Sequence, residues 1–492
     1  MDRRGFLKTV GIGSSIMVTR TFSKNKNDNH KANKPGNVIL YVVDDQGTGD
    51  AGCYGNPVVN TPGLDYLAEN GTRFENAFCT NASCSPSRSV ILSGLHSHAN
   101  GMFGLNHAVH NFQSFENFES LPMRLSDNGY RTLSAGKYHV SPEETYKFDQ
   151  RISFNWAQNK KGEWYPGDTP EQLAEKCKKF IDADNNQPFF LYFCTYAPHR
   201  PFWRQGAEKI EPEDVIVPDY LPDIPECREE LAKYYMSIEK ADAGLVKLIE
   251  ILKETGHWED TLIIYISDNG SPFPGGKTTV YEPGIKLPCV VRDPAAGKKG
   301  IVSNAMISWT DIMPTILEYA GIEYETNKYE QIEVPEYIEF NNSKPSNEKL
   351  HGSSFLSLLS LKNPEGWDEI YASHSFHEVY MYYPMRVVRE QRFKLIWNIA
   401  HRLQYPMASD LYHSKTWQAV LDRNLEDYGK RKIEKYLHRA EFELYDLKTD
   451  PDETENLADS PDFKDKFEEL KRKLKAFQVK TEDRWINKWT YK

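Results

Sequence analysis

The sequence predicts an α/β protein: a large mixed or mostly parallel sheet flanked by helices, followed by a smaller antiparallel sheet covered by one helix. Three observations carry that prediction. Continuous apolar runs of strand length recur at residues 38–43, 189–196 and 262–266, as expected of strands buried on both faces. Helical patterns alternate with them, the longest over residues 229–255 with Leu231, Tyr235, Ile238, Leu245, Leu248, Ile249 and Leu252 on its apolar positions. Chemistry-bearing residues follow the ends of the runs: Asp44 and Asp45 after the first, His199 after the second, Asp268 and Asn269 after the third. Sheets of this kind bind ligands at the carboxyl ends of their strands.

Taken in order, the chain opens with Arg3 and Arg4, then Phe6, Leu7, Lys8 and a short, mildly apolar stretch. That reads as a twin-arginine export signal of a bacterium, with the periplasm as destination. Residues 21–35, rich in Lys, Asn and Asp, read as a disordered spacer. At 492 residues the remainder exceeds what one core usually holds. The expected division is residues 1–35 for signal and spacer, 36–365 for a catalytic domain and 366–492 for a C-terminal subdomain.

After the strand at 38–43, Thr61 and Pro62 start a helix that Gly71 stops. Another helix begins at Cys84, with Val90, Ile91 and Leu92 inside it. A third spans 121–128 before Gly129, and a strand from Arg131 then presents Lys137 and His139. Residues 323–349 are polar, acidic and aperiodic, an excursion or linker. Beyond it come a short apolar helix (355–361), a hairpin (385–388 with 393–396), a strand (442–447) and a helix (463–477).

Seven cysteines without a Cys-x-x-Cys pair are neither a disulfide framework nor a zinc ribbon. A net charge of −11 argues against wrapping nucleic acid, yet leaves room for a locally basic pocket that takes a small anion. Past the N-terminus nothing is apolar for long enough to span a membrane.

Two adjacent carboxylates at the end of a buried strand are costly unless a cation neutralises them. Asp44, Asp45, Asp268 and Asn269 offer only hard oxygen ligands, which select calcium or magnesium over zinc. Several carboxylates with an amide oxygen favour calcium, because magnesium retains more water. Arg88, Lys137 and Lys277 are candidates to clamp a tetrahedral anion, and His139 and His199 to shuttle protons. Each has an ordinary reading as well: a turn for Asp-Asn-Gly, solvated surface for a lysine, a structural ring for a histidine, an inert buried thiol for Cys84.

The segment CSPSR, Cys84 to Arg88, resembles the Cys-x-Pro-x-Arg of type I sulfatases. The resemblance extends to DDQG at Asp44, GKYH at Gly136, PHR at Pro198, SDNG at Ser267, GK at Gly276 and ELYDLKTDPDETENL near the C-terminus. It implies the alkaline-phosphatase-like sulfatase fold, and oxidation of Cys84 to formylglycine by a formylglycine-generating or anaerobic maturating enzyme. The hydrated aldehyde would attack sulfur with one hydroxyl and expel sulfate with the other. It further implies one calcium ion on Asp44, Asp45, Asp268 and Asn269. Arg88 and Lys137 would serve the diol and the sulfate, His139 the hydroxyl, and His199 with Lys277 the sulfate and the leaving group.

Within the family the likeness runs furthest toward enzymes that cleave N-sulfate from glucosamine in heparin and heparan sulfate fragments. It is carried by SCSPSRSVILSGLHSHANGMFGLNHAVHNFQSF, SDNGSPFPGGKTTVYEPG and SFHEVYMYYPMRVV. This implies that His98, His377 and Glu378 face the sugar. The expected partners are a sulfated saccharide and the maturating enzyme, with no nucleic acid and no membrane span, and a homodimer left open. An O-sulfatase on another glycan, a phosphate or phosphonate ester hydrolase and an inactive glycan-binding homologue are the competing readings.

Overall fold

In the computed structural model, which describes residues 36–158, 164–183, 186–202, 209–332, 334 and 348–490, the first apolar run sits inside an eight-stranded sheet. In chain order its strands are β1 (Asn37–Val43), β2 (Thr72–Phe78), β3 (Arg131–Gly136), β4 (Gln150–Ile152), β5 (Phe189–Cys194), β6 (Thr261–Ser267), β7 (Cys289–Arg292) and β8 (Ile301–Ser308). They lie in the order β8-β2-β7-β6-β1-β5-β3-β4. Among these, β7 alone runs antiparallel to its neighbours, so the sheet is mixed. The carboxyl ends of β6, β1, β5 and β3 therefore stand side by side.

Alternation along β1 divides the core. Val38, Leu40 and Val42 belong to one cluster with Val90, Ile91 and Leu92 of α2 (Cys84–Ser93), the helix that follows α1 (Pro62–Glu69). Ile39, Tyr41 and Val43 belong to the opposite one. There they share a cluster with Leu173 and Ala174 of α3 (Pro170–Ile181) and with Ala241, Leu245, Leu248 and Leu252 of α4 (Pro225–Glu254). With both faces covered, every residue of β1 is buried, which is why it reads as an unbroken apolar run. All ten residues of α2 are buried too, Arg88 included.

A second, antiparallel sheet joins β9 (Glu369–His374), β10 (Met385–Glu390), β11 (Phe393–Asn398) and β12 (Phe442–Asp446) in that order. The expected hairpin pairs Val387 with Ile396 and Val388 with Leu395. Val388, Leu395, Trp397 and Leu444 pack on Leu470, Leu474 and Phe477 of α5 (Lys464–Lys480), the covering helix. Just past that helix, Asp483 pairs with Arg386 of β10, with Nη2 to Oδ1 at 2.9 Å and both side chains fully buried.

The apolar segment 355–361 is not a helix. Only Leu356–Leu358 makes a 3-10 turn, because the Ser354 hydroxyl takes the Leu356 N–H at 3.1 Å while Phe355, Leu358 and Leu359 anchor into the main core. Two residues of the polar excursion, Glu325–Thr326, pair with Lys349–Leu350; residues 335–347 lie outside the described residues, as do the export signal and spacer at 1–35. Among the described residues no helix is long and apolar enough to cross a membrane.

Removing one partner of a buried pair strands the other charge, so Asp483→Asn should lower the unfolding free energy by about 3–5 kcal/mol in urea titrations near neutral pH. Burial raises the Asp483 carboxyl, but Arg386 more than offsets this and holds it below its ordinary range. Its contribution is therefore complete well above the unfolded value of about 3.9 and is lost as the pH falls through the folded one.

Candidate active site

The loops leaving β3, β5 and β6, together with the start of α2, line one cavity of about 580 Å³, and Asp44 and Asp45 after β1 contact its Lys137 and Lys277. Cys84 is the first residue of α2, and its Sγ lies 4.0 Å from Asp45 Oδ1. Arg88, one helical turn on, extends from the same face. Its Nε and Nη2 hold Asp268 Oδ2 at 2.9 and 2.8 Å, Nη2 lies 3.7 Å from Asp44 Oδ1, and Nη1 donates to the Lys137 carbonyl at 3.2 Å. Lys137 Nζ contacts Asp44, and Lys277 Nζ bridges Asp45 and Asp410 at 3.0 and 3.1 Å.

Backbone shape places several of these groups. Asp45 and His139 adopt left-handed conformations at φ of 72° and 52°, unusual outside glycine. Gly136, just before Lys137, has φ of 88°, and a Cβ there would stand 2.0 Å from the Cys194 carbonyl oxygen. Only glycine lets the β3 end pass so close to β5.

The expected metal ligands converge. Asp44, Asp45, Asp268 and Asn269 are all fully buried. Ligand atoms of Asp44, Asp45 and Cys84 lie within 4.8 Å of one another. The Asn269 amide group donates to Asp45 Oδ1 at 2.7 Å, which leaves Asn269 Oδ1 buried without a hydrogen-bond partner; Asp44 Oδ1 also lacks one. Two orphaned oxygens in an all-oxygen donor set fit a hard cation.

Titration follows burial. Burial pushes the Cys84 thiol well above its ordinary value, although Lys137 and Lys277 pull the other way, so an unmodified Cys84 is a neutral thiol. Burial, then Asp44, raises Asp268 against the pull of Arg88. Burial and then Lys277 bring His199 down to about 3, and burial with Lys137 and His107 lowers His139, so both rings are neutral near pH 7. The His199 Nδ1–H donates to the Arg200 carbonyl, leaving Nε2 as the free nitrogen, 3.8 Å from Asp45 Oδ2. His139 Nε2 meets His107 Nδ1 at 2.7 Å.

His377 and Glu378 line the cavity. His377 Nδ1 is 2.8 Å from the Ser83 hydroxyl, and Glu378 accepts from the Ser409 hydroxyl at 2.5 Å. His98 does not join them. Its Nε2 is 2.9 Å from the Thr481 hydroxyl and Nδ1 3.4 Å from Ser373, and its ring stacks on His96 and meets the edge of Phe477. It packs against the C-terminal helix, because the short turn after α2 directs it there and not toward the strand ends. Asp410, His107, Tyr196 and Trp156 line the cavity without having been singled out from sequence. Asp410 sits in a four-residue helical turn, Trp156 in a three-residue strand and the other two in loops, so none carries a local pattern; only position in the fold reveals them.

An eight-stranded mixed α/β sheet with a cysteine, cations, histidines and carboxylates at its strand ends defines a hydrolase of anionic esters, and the family profile described as Sulfatase matches residues 36–322. The chain belongs to the sulfatase family. It is 35% identical to the human N-sulphoglucosamine sulphohydrolase over 92% of each chain. It is also 30% identical to an ulvan-active sulfatase of Formosa agariphila, over 88% of this chain and 78% of that one. Its fold matches the structure of BT4656 in complex with its substrate D-glucosamine-2-N,6-O-disulfate, with a TM-score of 0.64, 20% identity and coverage of 92% of this chain and 99% of that one. The alkaline-phosphatase-like sulfatase fold and the sulfuric ester or sulfamate hydrolase class expected from the motifs both hold.

A neutral, 1% exposed thiol reacts slowly. Protein made without a maturating enzyme should therefore show native Cys84 alkylated at least about 100-fold more slowly than a free thiol at about pH 8, by peptide mass mapping. Labelling as fast as a free thiol would contradict the burial described.

Proposed function

We propose that this protein removes the N-linked sulfate from terminal N-sulfoglucosamine in heparin or heparan sulfate fragments, using formylglycine formed from Cys84. The observation that carries this reading is the gathering, in one cavity, of the Cys84 side chain, Lys137, Lys277, His139 and His199 beside the buried oxygens of Asp44, Asp45, Asp268 and Asn269. Identity to the human N-sulphoglucosamine sulphohydrolase across 92% of both chains supports the nitrogen-linked substrate.

Formylglycine supplies an oxygen nucleophile where the unmodified side chain is a neutral thiol. Calcium would be held by Asp44, Asp45, Asp268 and the Asn269 carbonyl, and would supply positive charge to a sulfate oxygen. The remaining roles fall to residues of the chain. Arg88 holds Asp268 and Asp44 in place. Lys137 and Lys277 bind the anion and stabilise charge developing on its oxygens. His139 takes the proton from the attacking oxygen. His199 Nε2 delivers a proton to the departing nitrogen, its affinity for that proton rising once a sulfate lies beside it. His377 and Glu378 meet the sugar.

Charge supports the anion. Asp44, Asp45, Asp268 and Asp410 exceed Arg88, Lys137 and Lys277 by one negative charge, so a divalent cation leaves the pocket with one positive charge, the complement of a sulfamate monoanion. The N-terminal arginine pair supports export to the periplasm.

Mass spectrometry of the active protein should find the aldehyde at position 84. Cys84→Ala should cut sulfate release by about five to six orders of magnitude. With defined saccharides, N-sulfoglucosamine should be turned over faster than O-sulfated glucosamine; a strong O-sulfate preference would reassign the substrate.

For the metal, calcium at a hundredfold excess over its Kd should stabilise the wild type by about 2.7 kcal/mol in thermal melts, reversed by chelator. Asp45→Asn should lose most of that gain. Equal stabilisation of the two proteins would place the ion elsewhere.

A further inference from the structure

One carboxylate in the cavity has no task in the reaction described so far. Asp410 belongs to the short helical turn Ser409–Tyr412, far in sequence from the strand-end motifs. Its Oδ2 accepts from Lys277 Nζ at 3.1 Å, whereas its Oδ1 is buried with no hydrogen-bond partner. Ligand atoms of Asp410, Asp45 and His199 lie within 4.8 Å of one another. Asp410 therefore borders the imidazole that serves the leaving group. A carboxylate oxygen kept from water without a donor is unfavourable, and a cationic N–H donor is the partner that satisfies it best.

The two possible sulfate linkages leave different products. When an oxygen of the aldehyde hydrate, itself taken from water, bonds to sulfur and the sulfur–nitrogen bond breaks, the electron pair stays on nitrogen and takes up protons. A sulfamate monoanion and one water thus become an ammonium ion and a sulfate dianion, in balance for atoms and charge. A sulfate ester in the same displacement releases a neutral alcohol. A carboxylate at the leaving group therefore distinguishes nitrogen from oxygen by charge.

We propose that Asp410 receives the departing amine of the sugar through its free Oδ1, and so selects sulfamates over sulfate esters. This rests on the N-sulfate reading and deepens it, by naming the residue that sets the preference. It makes Asp410 a specificity-determining residue and not only a brace for Lys277.

The test compares the wild type with Asp410→Asn, both carrying the aldehyde and saturated with calcium, and both checked for cooperative melting. With Asn at 410, kcat/KM for N-sulfoglucosamine should fall about 30-fold more than for an aryl ester such as p-nitrophenyl sulfate. In calorimetry, the Kd of D-glucosamine should rise about tenfold while that of the uncharged N-acetylglucosamine stays put. Asp410→Glu, which keeps the charge, should recover part of the glucosamine affinity. Equal losses on both sulfated substrates with unchanged glucosamine affinity would show that Asp410 only braces Lys277, and would overturn the proposal. A wild type that cleaves O-sulfates alone would instead overturn the N-sulfate reading, and the glucosamine titration would still decide for or against Asp410.

Discussion

The site depends on a guanidinium that has no access to water. Arg88 is fully buried and keeps its charge at any pH a protein experiences. A charge in that position has to be matched within hydrogen-bond reach, and Asp268 supplies the match through Oδ2, with Asp44 next to it. Lys137 then neutralises Asp44, and Lys277 neutralises Asp45. Each carboxylate is thus spoken for by a cation on one side, while Asp44 Oδ1 stays buried without a hydrogen-bond partner. The geometry of that floor follows from compensating one buried arginine.

Most of the catalytic floor was legible in the chain because it uses strands that read without ambiguity. β1, β5 and β6 are covered on both faces, so their apolar runs are continuous and the polar residues after them stand out. Other elements gave weaker signals. β8 is an edge strand whose first half alternates buried and exposed residues, with Val302 in the open, and β2 mixes Arg, Glu and Asn into its pattern. α3 had a readable start, since Thr169 and Gln172 form a capping box, but its charged surface masked the period. Asp410 and His98 show the limit most directly. One is brought to the cavity and the other carried away from it by packing of the C-terminal region, which no local pattern encodes.

Two parts of the fold thus divide the work. On the proposed function, the groups that handle the sulfur centre come from the carboxyl ends of four neighbouring strands of the large sheet. The wall above them comes from later in the chain, where His377, Glu378, Ser409 and Asp410 line the same cavity. On the same reading, chemistry and selection sit on separate segments that meet where Asp410 accepts from Lys277 and His377 reaches Ser83. The buried Arg386–Asp483 pair and the packing of His98 on Phe477 tie this later region down, which gives the wall the rigidity that discrimination between similar sugars requires.

The burial of α2 also bears on how the enzyme comes into being. Every residue from Cys84 to Ser93 is enclosed, so in the finished fold a second protein has no backbone to grip around the cysteine. On the proposed function, a catalyst that reads Cys84, Pro86 and Arg88 as a peptide has to meet them before the helix docks against the sheet. On that reading biogenesis is a race between two clocks, folding and oxidation, and a molecule that folds first is sealed in its thiol form for the rest of its life.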